Sequence, residues 1–233
     1  MTAPVPAPLP QGADKARAVQ EMFDTIAPRY DLVNRVMTFG LDRGWRKRTV
    51  RDLALPAGAR VVDIACGTGD LCRDLRTANL RPVGVDFAHR MLANARTGAP
   101  LVQADAQRLP FPDASFDGAT SGFALRNFTS LHDFFAELAR VVRPLGRVAL
   151  LDVAQPSQPL LRRGHAVYFE HVVPRIGAAL SGNAAAYHYL PKSVAYLPPA
   201  DDLVRMLAAA GFRDVERHLL TGGITQLLTG TRA

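Results

Sequence analysis

The run Val61-Val62-Asp63-Ile64-Ala65-Cys66-Gly67-Thr68-Gly69-Asp70 constrains the fold of this chain more than any other segment. An apolar stretch of strand type breaks into small residues and resumes as an amphipathic segment from Asp70. Small side chains at Ala65, Gly67 and Gly69 permit a tight turn and let the backbone come close to a ligand. A strand that feeds a helix through such a turn opens a βαβ unit. The pattern repeats downstream. Strand-like runs at Arg60–Ala65, Pro82–Val85, Leu101–Ala104, Phe116–Ser121 and Val148–Val153 alternate with helix-like runs at Asp70–Arg76, Ala88–Ala95 and Leu131–Val142. Right-handed crossovers then predict a Rossmann-like, doubly wound, mostly parallel α/β sheet. A helix at Ala200–Ala210 precedes two last strand-like runs, Val215–Leu219 and Thr225–Leu228. Gly222-Gly223 between these runs reads as a hairpin turn, which adds an antiparallel edge strand.

Ahead of the first strand, Phe23, Ile26, Tyr30, Val33 and Val36 recur at three- and four-residue spacing, with Pro28 and Gly40 as breaks. This predicts a helical lid. The organisation expected is a disordered Pro/Ala-rich tail (1–12) and one domain (13–233). Within that domain come the lid (13–57), a cofactor-binding core (58–155), a substrate-capping insert (156–200), and a C-terminal helix with edge strands (201–233). The hydrophobic fraction of 48% suits one well-buried core.

The loop excludes two common ligand classes. The dinucleotide fingerprint needs a third glycine where Cys72 stands, and there is no G-x-x-x-x-G-K phosphate cradle. Asp63 and Asp70 flank the turn, so a pyrophosphate would be poorly served. A sulfonium cation with an amino-acid tail would be well served. Asp86 closes the second strand, where a carboxylate accepts hydrogen bonds from both ribose hydroxyls, and Asp105 closes the third, where an acceptor meets an adenine amino group. Each aspartate alone would also suit a helix N-cap. Three at consecutive strand ends form a more specific set.

These residues resemble the class I S-adenosylmethionine-dependent methyltransferases, and within them the menaquinone/ubiquinone biosynthesis C-methyltransferase family. The resemblance runs from Val19 to Gly230. It rests on Met22 to Asp31 with Asn34, Gly40, Trp45 and Arg46; on Asp63 to Asp70; and on Leu109 to Asp113 with Phe116-Asp117. More specific are Leu125-Arg126-Asn127, Tyr187 to Ser193, and Leu220 to Ile224. The resemblance implies that Thr68, Asp86, Asp105 with Ala106, and Ser121 bind S-adenosylmethionine, with Tyr30 closing the lid over it. Asp63, Ala65, Gly67, Gly69 and Phe87 complete the expected cofactor set. The implied substrate is a demethylated quinol with a long prenyl tail, methylated on a ring carbon.

Aromatic carbon becomes nucleophilic when a neighbouring hydroxyl loses its proton, so a cation near that oxygen helps. Arg126, just beyond the fourth strand, is the candidate for that role. Asn127 would orient a hydroxyl, and His171, in the insert, would be the general base. Phe123, Tyr187 and Tyr189 are assigned to the substrate pocket, with Tyr168 and Phe169 as further aromatic lining. Competing readings are a methyltransferase of a soluble phenolic metabolite, a nucleic-acid methyltransferase, and a nucleotide-binding oxidoreductase. Ser121-Gly122-Phe123-Ala124 replaces the Pro-Pro-aromatic run usual for amino-group methylation of bases, and Cys72 speaks against the oxidoreductase.

Partners follow from charge and length. The net charge is +7, yet the arginines are scattered, so a nucleic-acid partner is not expected. Two cysteines with five residues between them match no zinc signature, and no metal is expected. No run reaches the roughly 18–20 apolar residues of a membrane span. The expectation is a cytoplasmic protein that meets the inner face of the membrane through Trp45 and the basic residues Arg43, Arg46, Lys47, Arg48 and Arg51. Self-association is left open.

Overall fold

The computed structural model describes residues 11–181, 189 and 192–233. Three helices come first: α1 (Gly12–Ile26), α2 (Tyr30–Met37) and α3 (Asp42–Leu53). The helix α1 begins within the stretch expected to be tail, and residues 1–10 lie outside the described part. A 3-10 turn at Ala27–Arg29 joins α1 to α2, at the point where Pro28 has no N–H to give.

The strands are β1 (Arg60–Ile64), β2 (Arg81–Asp86), β3 (Leu101–Gln103), β4 (Phe116–Gly122), β5 (Val142–Val153), β6 (Phe212–Leu220) and β7 (Thr225–Arg232). They form one sheet in the order β3-β2-β1-β4-β5-β7-β6. The five strands β1 to β5 are mutually parallel, as helical crossovers require: α4 (Asp70–Thr77), α5 (His89–Ala93) and α6 (Leu131–Val141) lie among them. The short connection from Leu220 to Thr225 leaves no room for a crossover, so β7 turns back antiparallel to both β6 and β5. The turn is built on Gly222 and Gly223, both with positive φ. The insert after β5 holds α7 (Pro159–Val167), a π-helical turn (Tyr168–Val172) and α8 (Val173–Ser181); α9 (Ala200–Ala209) follows.

Alternation along the strands divides the core into two layers. Val62, Ile64, Val148, Leu150 and Leu228 face α6 and α9, where Phe134, Phe135, Leu138, Leu203 and Leu207 are buried. Their neighbours Val61, Ala149, Leu151 and Leu227 face α3 and α4, against Trp45, Leu53, Leu71 and Leu75. A third cluster, Ile26, Ala27, Val33, Ala88 and Met91, ties the lid helices to α5. The chain leaves β1 toward β2 on one side and returns to β4 on the other. The crevice at the carboxyl ends of β1 and β4 is therefore the switch point where open α/β sheets bind ligands.

At the opposite, amino-terminal end of β4, strand spacing depends on Gly118. A methyl group added to it would lie 2.6 Å from the Arg147 carbonyl oxygen of β5 and 2.7 Å from Leu55 Cδ1. Gly118→Ala is predicted to cost about 1–3 kcal/mol of stability through overpacking. Urea denaturation would show this as a lower midpoint, and an unchanged midpoint would refute the tight fit.

Candidate active site

At the switch point β1 and β4 both end in residues with left-handed backbone. Ala65 has φ 55° and Phe123 φ 61°, conformations that cost a non-glycine residue free energy and gather at functional sites. Gly67 and Gly69 continue the turn with φ 56° and 82°. Gly69 N donates to Cys66 O, while the Gly67 amide and the Ala88 amide of the next loop both donate to Asp86. Its Oδ2 accepts from Gly67 N at 2.7 Å and its Oδ1 from Ala88 N at 2.8 Å. Each oxygen keeps a second lone pair for a ligand hydroxyl. Burial pushes the Asp86 carboxyl up to about 6.

Asp86, Phe87, Asp105, Ala106 and Asn127 line a cavity of about 110 Å³. Asp105 is exposed, and its Oδ1 accepts from Gln107 N at 2.9 Å. Ala16, Val19, Gln20 and Phe23 of α1 also line this cavity. The helix is latched at three points. Gln20 Nε2 donates to Phe87 O at 3.2 Å, Asp24 Oδ1 accepts from Arg90 N at 2.8 Å, and Lys15 Nζ donates to Phe128 O at 2.7 Å. The Lys15 ammonium also sits 3.8 Å over the Tyr196 ring, and burial lowers it to about 8.

A second cavity, of about 510 Å³, adjoins the first, and the two share Phe23, Tyr30, Ala65, Gly67, Gly122 and Phe123. Tyr30 and Phe123 thus stand between them; burial raises the Tyr30 phenol above its ordinary range. Asp63 lines the larger cavity and is 1% exposed. Its carboxylate accepts from Thr120 Oγ1 at 2.9 Å and from Cys72 Sγ at 3.3 Å, and burial pushes it up to about 7. Thr68 lines the same cavity and hydrogen-bonds Asp31, joining the glycine loop to α2. The rest of the wall is mostly apolar, with Ile26, Met37, Trp45, Leu71, Tyr168, Phe169 and Val173.

The structure redistributes several residues singled out by sequence. Arg126 lies at the larger cavity, 7% exposed, and is held by three partners: Nη1 bonds Asp152 and Phe123 O, the latter at 2.8 Å, and Nε donates to Ser193 Oγ at 3.1 Å. Nη2 has no acceptor among the described residues. Asn127 faces the smaller cavity, and its Oδ1 accepts from Tyr189 OH at 3.3 Å. Burial pushes the Tyr189 phenol up to about 12, and Tyr189 borders neither cavity. Tyr187 lies outside the described residues. Ser121 is fully buried, borders neither cavity, and its Oγ has no partner among the described residues. His171 is exposed and borders neither cavity. His165, six residues earlier, lines the larger one beside the Phe169 ring, at a centroid separation of 4.6 Å. Burial lowers its pKa, which keeps the imidazole neutral at neutral pH.

Trp45 also departs from expectation. It is 7% exposed, with Nε1 donating to Thr221 Oγ1 at 2.8 Å, so it is a wall of the cavity and not an interfacial anchor. Arg46 is spent on Asp42, Asp70 and Asp74, while Arg48 and Arg51 pair with Asp52. Burial raises the Asp42 carboxyl, but the Arg46 hydrogen bond and charge outweigh this and hold it below its ordinary value.

The family model described as the ubiE/COQ5 methyltransferase family matches residues 11–232. The chain belongs to this family. A demethylmenaquinone methyltransferase of Deinococcus radiodurans is 45% identical, covering 100% of both chains. One of Thermus thermophilus is 45% identical over 91% of this chain and 100% of its own. Among solved structures, an S-adenosylmethionine-dependent methyltransferase of Thermotoga maritima superposes with a TM-score of 0.65 at 21% identity, covering 92% of this chain and 99% of that one. The protein is an S-adenosylmethionine-dependent methyltransferase on a Rossmann-like fold.

The donor set fits that cofactor. Asp86 would accept from ribose hydroxyls with its free lone pairs, Asp105, on the same cavity, would accept from an adenine amino group, and buried Asp63 would offer negative charge beside the glycine loop. The sign of the pH dependence follows. Protonation of Asp86 (about 6) or Asp63 (about 7) removes an acceptor or a charge, so cofactor affinity should rise with pH through this window and level off above it. Asp86→Asn should weaken binding by about 1.5–3 kcal/mol, the scale of a hydrogen bond to a charged group. Calorimetry across this pH range checks both; a flat profile would dismiss the two carboxylates as cofactor contacts.

Proposed function

We propose that the protein methylates a ring carbon of a prenylated quinol, with demethylmenaquinol as its substrate. The observation that carries this reading is the 510 Å³ apolar cavity, which meets the cofactor cavity at Tyr30 and Phe123. Its size suits a quinol ring with the first part of an isoprenoid chain. Bound S-adenosylmethionine supplies a methyl group on a sulfonium, already an excellent electrophile. The chain's own residues therefore have to align the ring, keep water out and raise the nucleophilicity of one carbon.

Arg126 supports the last of these. Pinned through Nε and Nη1, it presents Nη2 as a preorganised donor to a ring oxygen that is losing its proton. Asp152 offsets part of its charge, so the contribution is a directed hydrogen bond more than a bare cation. His165 replaces His171 as the imidazole placed to take the hydroxyl proton, since burial keeps it in the basic form. The methylated carbon then gives its proton to solvent and the ring oxygen takes one back from protonated His165, which restores the aromatic quinol and releases one proton overall. Asn127, bonded to Tyr189, borders the cofactor side of the site.

A substrate with such a tail resides in a bilayer, and none of the described helices is long and apolar enough to cross one. The enzyme therefore works as a peripheral protein at the membrane face. The alternative, a soluble phenolic substrate, is separated by offering purified enzyme demethylmenaquinol in vesicles and a panel of water-soluble phenols. Mass spectrometry should find the added methyl on the quinol ring carbon; methylation of the soluble phenols alone would overturn the reading.

The roles of Arg126 and His165 are tested in the same assay. Arg126→Lys keeps a cation opposite Asp152 and loses the fork, and turnover should fall by about 10²–10³, as when one donor to a developing oxyanion is removed. Cofactor affinity should stay near that of the parent. At saturating S-adenosylmethionine, where the Asp86 and Asp63 dependence of cofactor binding no longer contributes, His165→Phe should remove the acid limb of the pH profile of kcat/KM for the quinol. Equal loss of cofactor affinity in the first variant, or an unaltered profile in the second, would assign these residues to packing.

A further inference from the structure

We propose that the face formed by α2 and α7 at the mouth of the larger cavity docks onto an anionic lipid bilayer. The inference rests on the quinol reading for what passes through the mouth. Phe39 and Leu160 both line the cavity, yet they are 77% and 81% exposed, so they stand at its rim. Leu41 and Leu161 share both properties. No residue of α7 is buried, so this helix lies on the surface with Leu160 and Leu161 exposed. The two sides of the rim are joined. Tyr168 OH donates to Met37 O at 2.7 Å, and the Phe39 and Tyr168 rings lie 5.7 Å apart.

Charge identifies the partner. Residues 32–41 and 155–169, which supply this rim, contain no Asp or Glu. Arg35, Arg162 and Arg163 are exposed, and none has an ion-pair partner among the described residues. On α3, by contrast, the aromatic Trp45 is buried and Arg46, Arg48 and Arg51 are answered by aspartates, so the exposed Arg43 and Lys47 stand there without an apolar partner surface. Exposed leucine and phenylalanine beside unpaired arginine suit acyl chains beneath anionic headgroups. A second copy suits the face less well, since a twofold interface would bring the same arginines together. A bilayer here would also let a prenyl chain move from lipid into the apolar cavity without crossing water. The docking element is thus the α2–α7 rim and not the basic helix around Trp45.

The test is flotation with vesicles of pure phosphatidylcholine and of phosphatidylcholine mixed with phosphatidylglycerol, at low and high salt. The parent protein should float with the anionic vesicles and be released by salt. The triple variant Arg35→Glu, Arg162→Glu, Arg163→Glu should bind them at least tenfold more weakly, with melting temperature and cofactor affinity unchanged. Leu160→Ser should also weaken binding without altering the melting temperature. The proposal is overturned if the parent stays unbound at low salt, or if either variant that keeps its melting temperature binds as the parent does. A parent dimer that Leu160→Ser dissociates would overturn it too, by making the face an interface between copies. Failure of quinol methylation alongside charge-dependent vesicle binding would sink the substrate reading and leave the docking surface standing.

Discussion

Asp86 holds the site together. Its two oxygens take the amides of Gly67 and Ala88, and so bind the turn after β1 to the turn after β2 across the ends of adjacent strands. With that bridge in place, the left-handed residues Ala65, Gly67 and Gly69 keep a turn tight enough to start α4 at Asp70. The start of α4 in turn carries the lid. Arg46 of α3 reaches Asp70 and Asp74 as well as its own Asp42, so the helix over the larger cavity is anchored to the helix that the glycine loop begins. A side-chain exchange at one strand end therefore propagates to the cofactor loop, the α4 terminus and the lid.

The two cavities divide the chemistry between them. The smaller one has carboxylates at its edge and is roofed by a latched helix. The larger one is mostly apolar, with Asp63, Arg126, His165 and the ion-paired Asp42, Arg46 and Asp70 as its principal polar groups. Burial of Asp63 and Asp86 raises both carboxyls, so the folded protein holds these protons more tightly than the unfolded chain does. Their ionisation weakens the fold as pH climbs from the ordinary carboxylate range to about 7. A cationic, hydroxyl-bearing ligand reverses that penalty, because it supplies the opposite charge and the donors. Stability of the empty site is given up for affinity in the filled one, which is the usual relation between strained functional groups and ligands. The raised backbone energy of Ala65 and Phe123 at the same two strand ends has the same character.

The glycine loop and the strand-end carboxylates are legible in the sequence because they are local. Glycine loop, strand ends and Asp86 lie within a few residues of elements whose type the apolar pattern reveals. The substrate side was less so. The sequence points to His171 as the base, whereas His165 is the histidine that lines the cavity, and nothing in the residue pattern separates them. Six positions apart, they occupy different faces of a helix, and the π-helical turn Tyr168–Val172 between α7 and α8 shifts the phase further. Periodicity counted at 3.6 residues per turn cannot locate the inward face across such a turn. Trp45 failed for a related reason. A tryptophan amid five basic residues looks interfacial in one dimension, whereas Thr221, 176 positions away, supplies the acceptor that makes burial of its indole N–H tolerable.

By itself, the sequence determined the parallel α/β sheet, the helical lid, the antiparallel return at Gly222-Gly223, and a sulfonium-compatible loop. Each of these follows from residue type and spacing within one or two elements. Only the tertiary structure decided which polar groups are free to act. It pinned Arg126 on Asp152 and left one guanidinium nitrogen without an acceptor among the described residues. It sealed Ser121 away from both cavities, turned His165 inward and His171 outward, and paired Arg46, Arg48 and Arg51 of α3 while leaving Arg35, Arg162 and Arg163 without an ion pair among the described residues. The physical reason is the same throughout. A side chain's backbone preference is set by its neighbours in sequence, whereas its hydrogen bonds, charge and access to a ligand depend on partners tens to more than a hundred residues distant, which packing alone brings near.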